Sequence, residues 1–392
     1  MFEQILPYQQ DIASLLSQQL KAEVFPQSVL FSGQRYSGRL TITLETARVL
    51  SCSEEGKFGC RCGSCRRFDL YDMSNVVLVG NRDHGTRIAA ALSIAKNRPN
   101  ERSRKLLIRT VRLMLLQYHG ALLDARDSKN SGIFESAAVV SEQLSALESA
   151  PEQEFASHVD RLESALKPLA VQYRRSTPLS INQVRSLHEW TMQTGLDGQV
   201  RCIILEGVEE STEGARNSLL KLLEEPPRHT YIIVLSEHPA RLLPTILSRL
   251  QRYPIRPLSS DAEARLLADY FDIEKGSGTT LEEFLLMHAQ IPCEEIKSSA
   301  HQYAESILSG APLSREALDR IVGELDEPVR LEYFLNQFQT LVRQAFMTGR
   351  CARATAAGML HIASEKAMIG YIFNQNRKLL IESLYYRLQE VI

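Results

Sequence analysis

Apolar positions along the chain alternate between two periods. From Leu6 to Ala22, Ile12, Leu15, Leu16 and Leu20 recur at helical spacing and predict an amphipathic helix with these side chains on one side. Short apolar runs then stand at Ser28–Ser32, Asn75–Val79, Val200–Leu205 and Tyr231–Leu235, each the length of a buried strand. Helical patterns fall between them. One covers Thr41–Leu50. A second starts at Ser180 as N-cap and runs to about Thr194, with a turn over Gly195–Gly198. A third places Leu219, Leu220, Leu222 and Leu223 on one face before Pro226 and Pro227, which lack N–H groups and stop it. Strand, helix, strand in succession predicts a parallel sheet with crossovers.

Two other regions read as wholly helical. Between about Gly80 and Pro178, Leu106, Leu107, Val111, Leu113 and Leu116 recur, followed by Phe134, Val140, Leu144 and Leu147, and then by Phe155, Val159, Leu162, Leu166 and Leu169. This predicts three or four helices packed together. After Pro257, helices are expected over Asp261–Phe271 and Thr280–Ala289, and from about Leu313 to the end.

The 392 residues suffice for two or three domains. At 44% apolar and 23% charged residues, the composition is that of a globular protein. The net charge of −2 gives no global basic signature of a nucleic-acid binder. A local one exists at the start of the helical region, in Arg82, Arg87, Lys96, Arg98, Arg102, Arg104, Lys105, Arg109 and Arg112. Those residues are expected to pair with the acidic later part, Glu135–Glu163, rather than to meet DNA. No run of eighteen apolar residues is present, and Met1-Phe-Glu-Gln-Ile lacks the pattern of a signal peptide, so a cytoplasmic chain is expected.

Candidate chemistry gathers at three places. Gly33-Gln-Arg-Tyr-Ser-Gly38-Arg39-Leu40 lies between a strand and a helix, the setting of a phosphate-binding loop. A working loop ends Gly-Lys-Ser/Thr. Arg39 keeps the charge of the lysine in a different shape, and Leu40 has no hydroxyl for Mg²⁺. Cys52, Cys60, Cys62 and Cys65 form a cluster that could hold a metal; four protein thiolates would make any zinc there structural. Third, Asn217-Ser-Leu-Leu-Lys-Leu-Leu-Glu-Glu-Pro-Pro227 and Glu237-His-Pro-Ala-Arg-Leu-Leu-Pro-Thr-Ile-Leu-Ser-Arg249 are two long strings in close succession.

These two strings resemble the N-[AS]-L-L-K-x-L-E-E-P-P and E-x-P-x-x-L-L-x-T-I-x-S-R segments of bacterial DNA polymerase III clamp-loader subunits, an AAA+ family. The resemblance is greatest to the delta prime branch, the non-hydrolysing relative of gamma/tau. It implies an α/β AAA+ domain over 1–256 with a parallel sheet, a zinc-module excursion at 52–65 and a helical insertion at about 80–178. A small helical lid domain (257–310) and an α-helical collar domain (311–392) would follow. The Asn374–Leu388 stretch resembles the family's closing collar helix.

The resemblance also implies roles. Gly33, Gly38, Arg39 and Ser236, the last at the sensor 1 position, would line a degenerate nucleotide site. Glu206 and Gly207 stand where a working ATPase has its Walker B Asp and Glu, and Glu209 and Glu210 are expected to face solvent. Such a chain would have no ATPase activity of its own, with ATP either not bound or bound without hydrolysis. Cys52, Cys60, Cys62 and Cys65 would hold a structural Zn²⁺. Arg249 would act as an arginine finger in a neighbour's site. The implied partners are gamma/tau and delta subunits in a hetero-oligomeric ring, the sliding clamp, and primer-template DNA through the complex, with no membrane. Two other readings are an active gamma/tau-type ATPase, opposed by Arg39, Leu40 and Gly207, and a stand-alone DNA-binding protein using the basic insertion.

Overall fold

Strands β1 (Ser28–Ser32), β2 (Val76–Val79), β3 (Arg201–Glu206), β4 (Thr230–Ser236) and β5 (Gln251–Pro254) form one parallel sheet in the order β2-β3-β4-β1-β5. The computed structural model describes residues 1–80, 82–122, 128–170, 179–193, 199–271, 279–373 and 376–390. Successive side chains on a strand point to opposite faces, and both faces here are covered. On one, Val29, Phe31, Leu78, Ile204 and Leu235 pack against α1 (Gln10–Lys21) and α2 (Arg39–Leu50). On the other, Leu30, Val77, Ile203, Ile232 and Val234 pack against α8 (Ile181–Met192) and α9 (Glu213–Glu224). Burial on both faces is why these strands read as unbroken apolar runs.

Local chemistry sets the helix ends. Ser180 Oγ accepts from the Gln183 N–H and Gln183 Oε1 accepts from the Ser180 N–H, a reciprocal cap for α8. The turn expected over Gly195–Gly198 lies outside the described residues. Helix α1 starts at Gln10 rather than Leu6. Its core face is Ile12, Ala13 and Leu16, so Leu15 is 42% exposed instead of buried beside them. Strand β5 was not apparent in the sequence: Gln-Arg-Tyr-Pro buries only Tyr253, as suits an edge strand ending in proline.

The insertion supplies α4 (His84–Asn97), α5 (Glu101–Leu115), α6 (Ser128–Ser149) and α7 (Phe155–Leu166). They share a core that includes Ile88, Leu107, Val111, Leu144, Val159 and Leu162. Its basic residues are paired within the molecule. Lys96 meets Asp160 and Glu163 at 3.0 and 2.7 Å, and Arg112 meets Glu148 at 2.9 Å. Lys105 and Arg109 both meet Asp69, the last residue of α3 (Gly63–Asp69).

The chain divides into two compact units, Met1–Ala289 and Gln290–Ile392. The segment expected as a lid, 257–310, is thereby split. Helices α11 (Ser260–Phe271) and α12 (Leu281–His288) belong to the first unit, whereas α13 (Cys293–Ser309) belongs to the second. In the first unit, Leu267 and Phe284 pack on Ile94 of α4. Among the described residues, no helix is long and apolar enough to cross a membrane.

The second unit continues with α14 (Arg315–Glu324), α15 (Pro328–Met347), α16 (Arg353–Phe373) and α17 (Arg377–Gln389). Asn374 and Gln375, expected in the last helix, lie outside the described residues. Tyr303 is fully buried and meets the rings of Phe334, Phe338 and Tyr385 edge-on at 5.2–5.6 Å. The Tyr385 hydroxyl contacts Ser306 Oγ at 2.6 Å and accepts from the Leu313 N–H at 2.7 Å, pinning the loop after α13. Tyr385→Phe leaves both partners short and is expected to cost about 1–3 kcal/mol, to be read as a lower midpoint in denaturant unfolding. An unchanged midpoint would show that water replaces the hydroxyl.

Candidate functional site at the carboxyl edge of the sheet

Open parallel sheets bind ligands outside the carboxyl ends of their strands. Here the ends of β1, β3 and β4 meet. The Gly33 N–H donates to Ser236 O at 3.1 Å, joining β1 to β4. A Cβ at Gly33 would lie 2.4 Å from Ile255 O, so no other residue fits there unless the backbone moves. Gly38 turns the loop into α2 with φ of 87°, a left-handed conformation that glycine adopts without cost. Arg39 is the first residue of α2, and its guanidinium does not stand open to a phosphate: it pairs with Glu237 at 2.7 Å. Leu40 packs against the core on the α2 face.

At the end of β3, Glu206 is closed on both oxygens. Arg82 Nε donates to Oε2 at 2.7 Å and Arg82 Nη2 to Oε1. Both side chains are nearly buried, 13% and 11% exposed. Gly80 makes the approach possible, because a Cβ there would lie 2.5 Å from Glu206 Cβ. Burial works to raise the Glu206 carboxyl, but Arg82, with Arg39 and Arg87 beyond it, holds it below the ordinary carboxylate value. Arg87 lies over the Tyr36 ring of the glycine loop at 5.4 Å. Beside Arg82, His84 is 3% exposed; burial, reinforced by the Arg82 charge, lowers it to about 3.

Ser236 is buried, and its hydroxyl donates to Glu209 Oε1 at 2.6 Å while accepting from the His238 N–H. Glu209 therefore turns inward, contrary to the solvent-facing position expected. The buried hydroxyl satisfies one carboxylate oxygen, while Oε2 is buried with no hydrogen-bond partner among the described residues. Gly33, Gly38, Arg39, Glu206 and Ser236 are thus brought to one edge. Arg82, Arg87 and Glu237 were not recognised as part of it. Arg82 and Arg87 read as members of a general basic stretch, and only the end of β2 at Val79, three residues before Arg82, placed the first of them near the strand tips.

The four cysteines also come together. Their sulfurs lie within 4.8 Å of one another, with Cys52 at 3.7 Å from Cys60 and 3.8 Å from Cys62. Four ligands about 2.3 Å from a tetrahedral zinc would be spaced about 3.8 Å apart, so the set fits a metal ion despite the short Cys60-Arg-Cys62 turn. Cys62 caps α3 and accepts from the Cys65 N–H. Burial opposes its ionisation, but that bond and contacts from Ser53 bring the thiol down to about 5. From α2, Arg48 Nη1 donates to Cys65 Sγ at 3.1 Å and Nη2 to Gly56 O at 3.1 Å, while Glu45 holds the guanidinium from the other side.

Arg249 stands apart from both groups, just beyond α10 (Pro244–Leu247). It is 31% exposed and forms an ion pair with Glu224 at the end of α9; its Nε donates to Glu224 Oε1 at 2.8 Å and its Nη1 to Thr245 O at 2.6 Å. The two long strings of the sequence are therefore joined by an ion pair, and their apolar side chains, Leu219, Leu222 and Leu223 with Leu242 and Ile246, share one core.

The model of the family described as "DNA polymerase III, delta subunit" matches residues 8–259. The chain belongs to this family. It is similar to the DNA polymerase III subunit delta' of Bacillus subtilis, 34% identical over 153 residues, or 38% of this chain and 46% of that protein. It also resembles the subunit delta' of Pseudomonas aeruginosa, 40% identical over 96 residues, covering 24% of this chain and 29% of that one. A gamma/tau subunit from Mycobacterium tuberculosis is 33% identical over 88 residues, 22% of this chain and 15% of its own. The chain spans less than half the length of each of these curated relatives. The sheet, the cysteine cluster, the insertion and Arg249 all lie between the bounds of the match.

Two outcomes follow from these contacts. The cysteine group is expected to take up one zinc ion, and Arg48→Ala to weaken it about 10–100-fold, as loss of a partner outside the ligand set does; competition with a chromophoric chelator measures this. His84 carries a folded-state value below its ordinary 6.5, so the unfolded chain takes up the proton first and the contribution of His84 is lost as pH falls from 6.5 towards about 3. Between pH 7 and 5 this single group is expected to cost about 2 kcal/mol. Unfolding of His84→Gln at both pH values should show a flatter dependence; an equal slope would place the loss elsewhere.

Proposed function

We propose that the chain is a non-hydrolysing, delta prime-like subunit of a DNA polymerase III clamp loader. One observation carries the reading: every group that hydrolysis would need is either replaced or engaged inside the molecule. Arg39 is bound to Glu237, Leu40 lies against the core, and Glu206 is taken by Arg82. Position 207 is glycine, with φ of 66° and no side chain to polarise a water. ATP is then either not bound or bound without turnover.

The contribution to the assembly is Arg249. Its guanidinium is held at the surface, by Thr245 O of its own segment and by a carboxylate that is itself 48% exposed. Exposed pairs of this kind contribute little, about 0–1 kcal/mol, so a neighbour's phosphates can draw Arg249 away from Glu224. In a hetero-oligomeric ring with gamma/tau and delta subunits, Arg249 acts as the finger completing the adjacent ATP site, and the ring loads the sliding clamp on primer-template DNA in the cytoplasm. The second unit serves as the collar. Leu379 and Tyr386, seven residues apart on α17, are 64% and 60% exposed and supply an apolar strip for a neighbouring subunit. The cysteine cluster holds a structural zinc, and α11 and α12 form what the chain has of a lid.

The internal pairing of the insertion's basic residues speaks against the stand-alone DNA-binding reading, since Lys96, Lys105, Arg109 and Arg112 already have carboxylate partners. The test is ATP turnover in a ring reconstituted with gamma/tau and delta subunits. Arg249→Ala is expected to lower turnover at the adjoining site by about 10³-fold or more without preventing assembly, and the isolated chain is expected to be silent. Turnover by the isolated chain, or a mutant ring of unchanged rate, would reject the mechanism.

A further inference from the structure

The insertion touches the nucleotide-site edge at its first residues and the α11–α12 pair further on. Arg82 closes both oxygens of Glu206. A divalent cation bridging this carboxylate to a phosphate needs one of those oxygens free. One turn into α4, Arg87 lies over Tyr36 within the glycine loop. His84, between them, is buried as the first residue of the helix, which the Asp83 side chain caps by accepting from the Thr86 N–H. At the other end of α4, Ile94 packs with Leu267 and Phe284, joined by Leu106, Phe271, Leu281 and Leu285. Arg98 Nη1 donates to Phe271 O at 2.8 Å and Arg102 Nη1 to Asp269 O at 3.1 Å, so two cations bind the carbonyls at the end of α11. Tyr8, just before α1, holds the same turn through Asp269 Oδ2 at 2.7 Å.

We propose that the insertion is a built-in occupant of the nucleotide cleft: the Arg82 guanidinium stands in for the divalent cation at Glu206, and α4 ties the glycine loop to α11 and α12. This rests on the reading of the chain as non-hydrolysing, and it gives that state a cause beyond the altered loop. A guanidinium satisfies the buried carboxylate with two directed bonds and cannot dissociate as an ion does. The cleft is therefore closed whether or not nucleotide is present, and the two helices beyond it have no bound phosphate to answer to.

The experiment is equilibrium titration of the full chain with a fluorescent ATP analogue and Mg²⁺. Arg82→Ala opens Glu206. Arg82→Ala/Glu206→Gln removes the pair without leaving a lone buried charge, and so guards against misfolding, which circular dichroism checks. Apparent affinity scales with the fraction of open cleft, and at least one folded variant is expected to bind at least about tenfold more tightly than the unaltered chain. If both fold and neither gains affinity, or if the unaltered chain binds equally well, Arg82 is not what excludes the nucleotide. That result leaves the non-hydrolysing reading standing, whereas ATP turnover by the unaltered chain would remove it. The tie to these helices is read separately by hydrogen exchange: Arg98→Ala/Arg102→Ala is expected to speed exchange of the α11 amides at least about tenfold, and unchanged exchange would overturn that half of the proposal.

Discussion

The Arg82–Glu206 pair is the contact on which the rest of the site depends. It lies at the end of β3, beside the edge strand β2, nearly out of water, with Gly80 close against the backbone and Cβ of Glu206. Removing one partner of a buried pair typically costs about 3–5 kcal/mol, because the remaining charge has no solvent to turn to. The same interior punishes a missing partner far more than it rewards the intact pair. The consequence is geometric. The first residues after β2 must return over the strand ends, which fixes where α4 begins and hence where the whole helical insertion sits on the sheet.

Much of the sheet domain was legible in the sequence, because strands covered on both faces leave long apolar runs and because Ser180, Pro226 and Pro227 mark helix ends by chemistry that needs no tertiary context. What could not be read depended on contacts distant in sequence. Glu209 turned inward because Ser236, twenty-seven residues later, offers it a hydroxyl. Arg82 looked like one cation among nine until β2 and β3 placed it beside Glu206. Leu15 followed the helical period nominally, yet the buried face of α1 is centred on Ile12, Ala13 and Leu16 and leaves Leu15 outside it. Edge strand β5 carries too little apolar sequence to announce itself.

The bend of the glycine loop is held by close packing and backbone conformation. Gly33 is constrained by Ile255 O and Gly38 by its backbone angle. The charged residues around it then find one another: Arg39 with Glu237 and Arg82 with Glu206. The Arg249–Glu224 contact differs in kind, being at the surface and therefore exchangeable. One fold thus holds a guanidinium fixed in the interior and another that can change partners at the rim.

The spacing of the cysteine sulfurs has a bearing on redox chemistry. Cys52 lies 3.7 Å from Cys60 and 3.8 Å from Cys62, distances that a small side-chain rotation would shorten to the roughly 2.05 Å of a disulfide bond. Either pair would close on giving up two electrons and two protons to an oxidant. A metal ion in the cluster protects these sulfurs by engaging them; a chain stripped of metal in air has an oxidant at hand and a short path to a cross-link that shuts the metal out. The history of a preparation, reducing or oxidising, would then be written into the segment between α2 and α3.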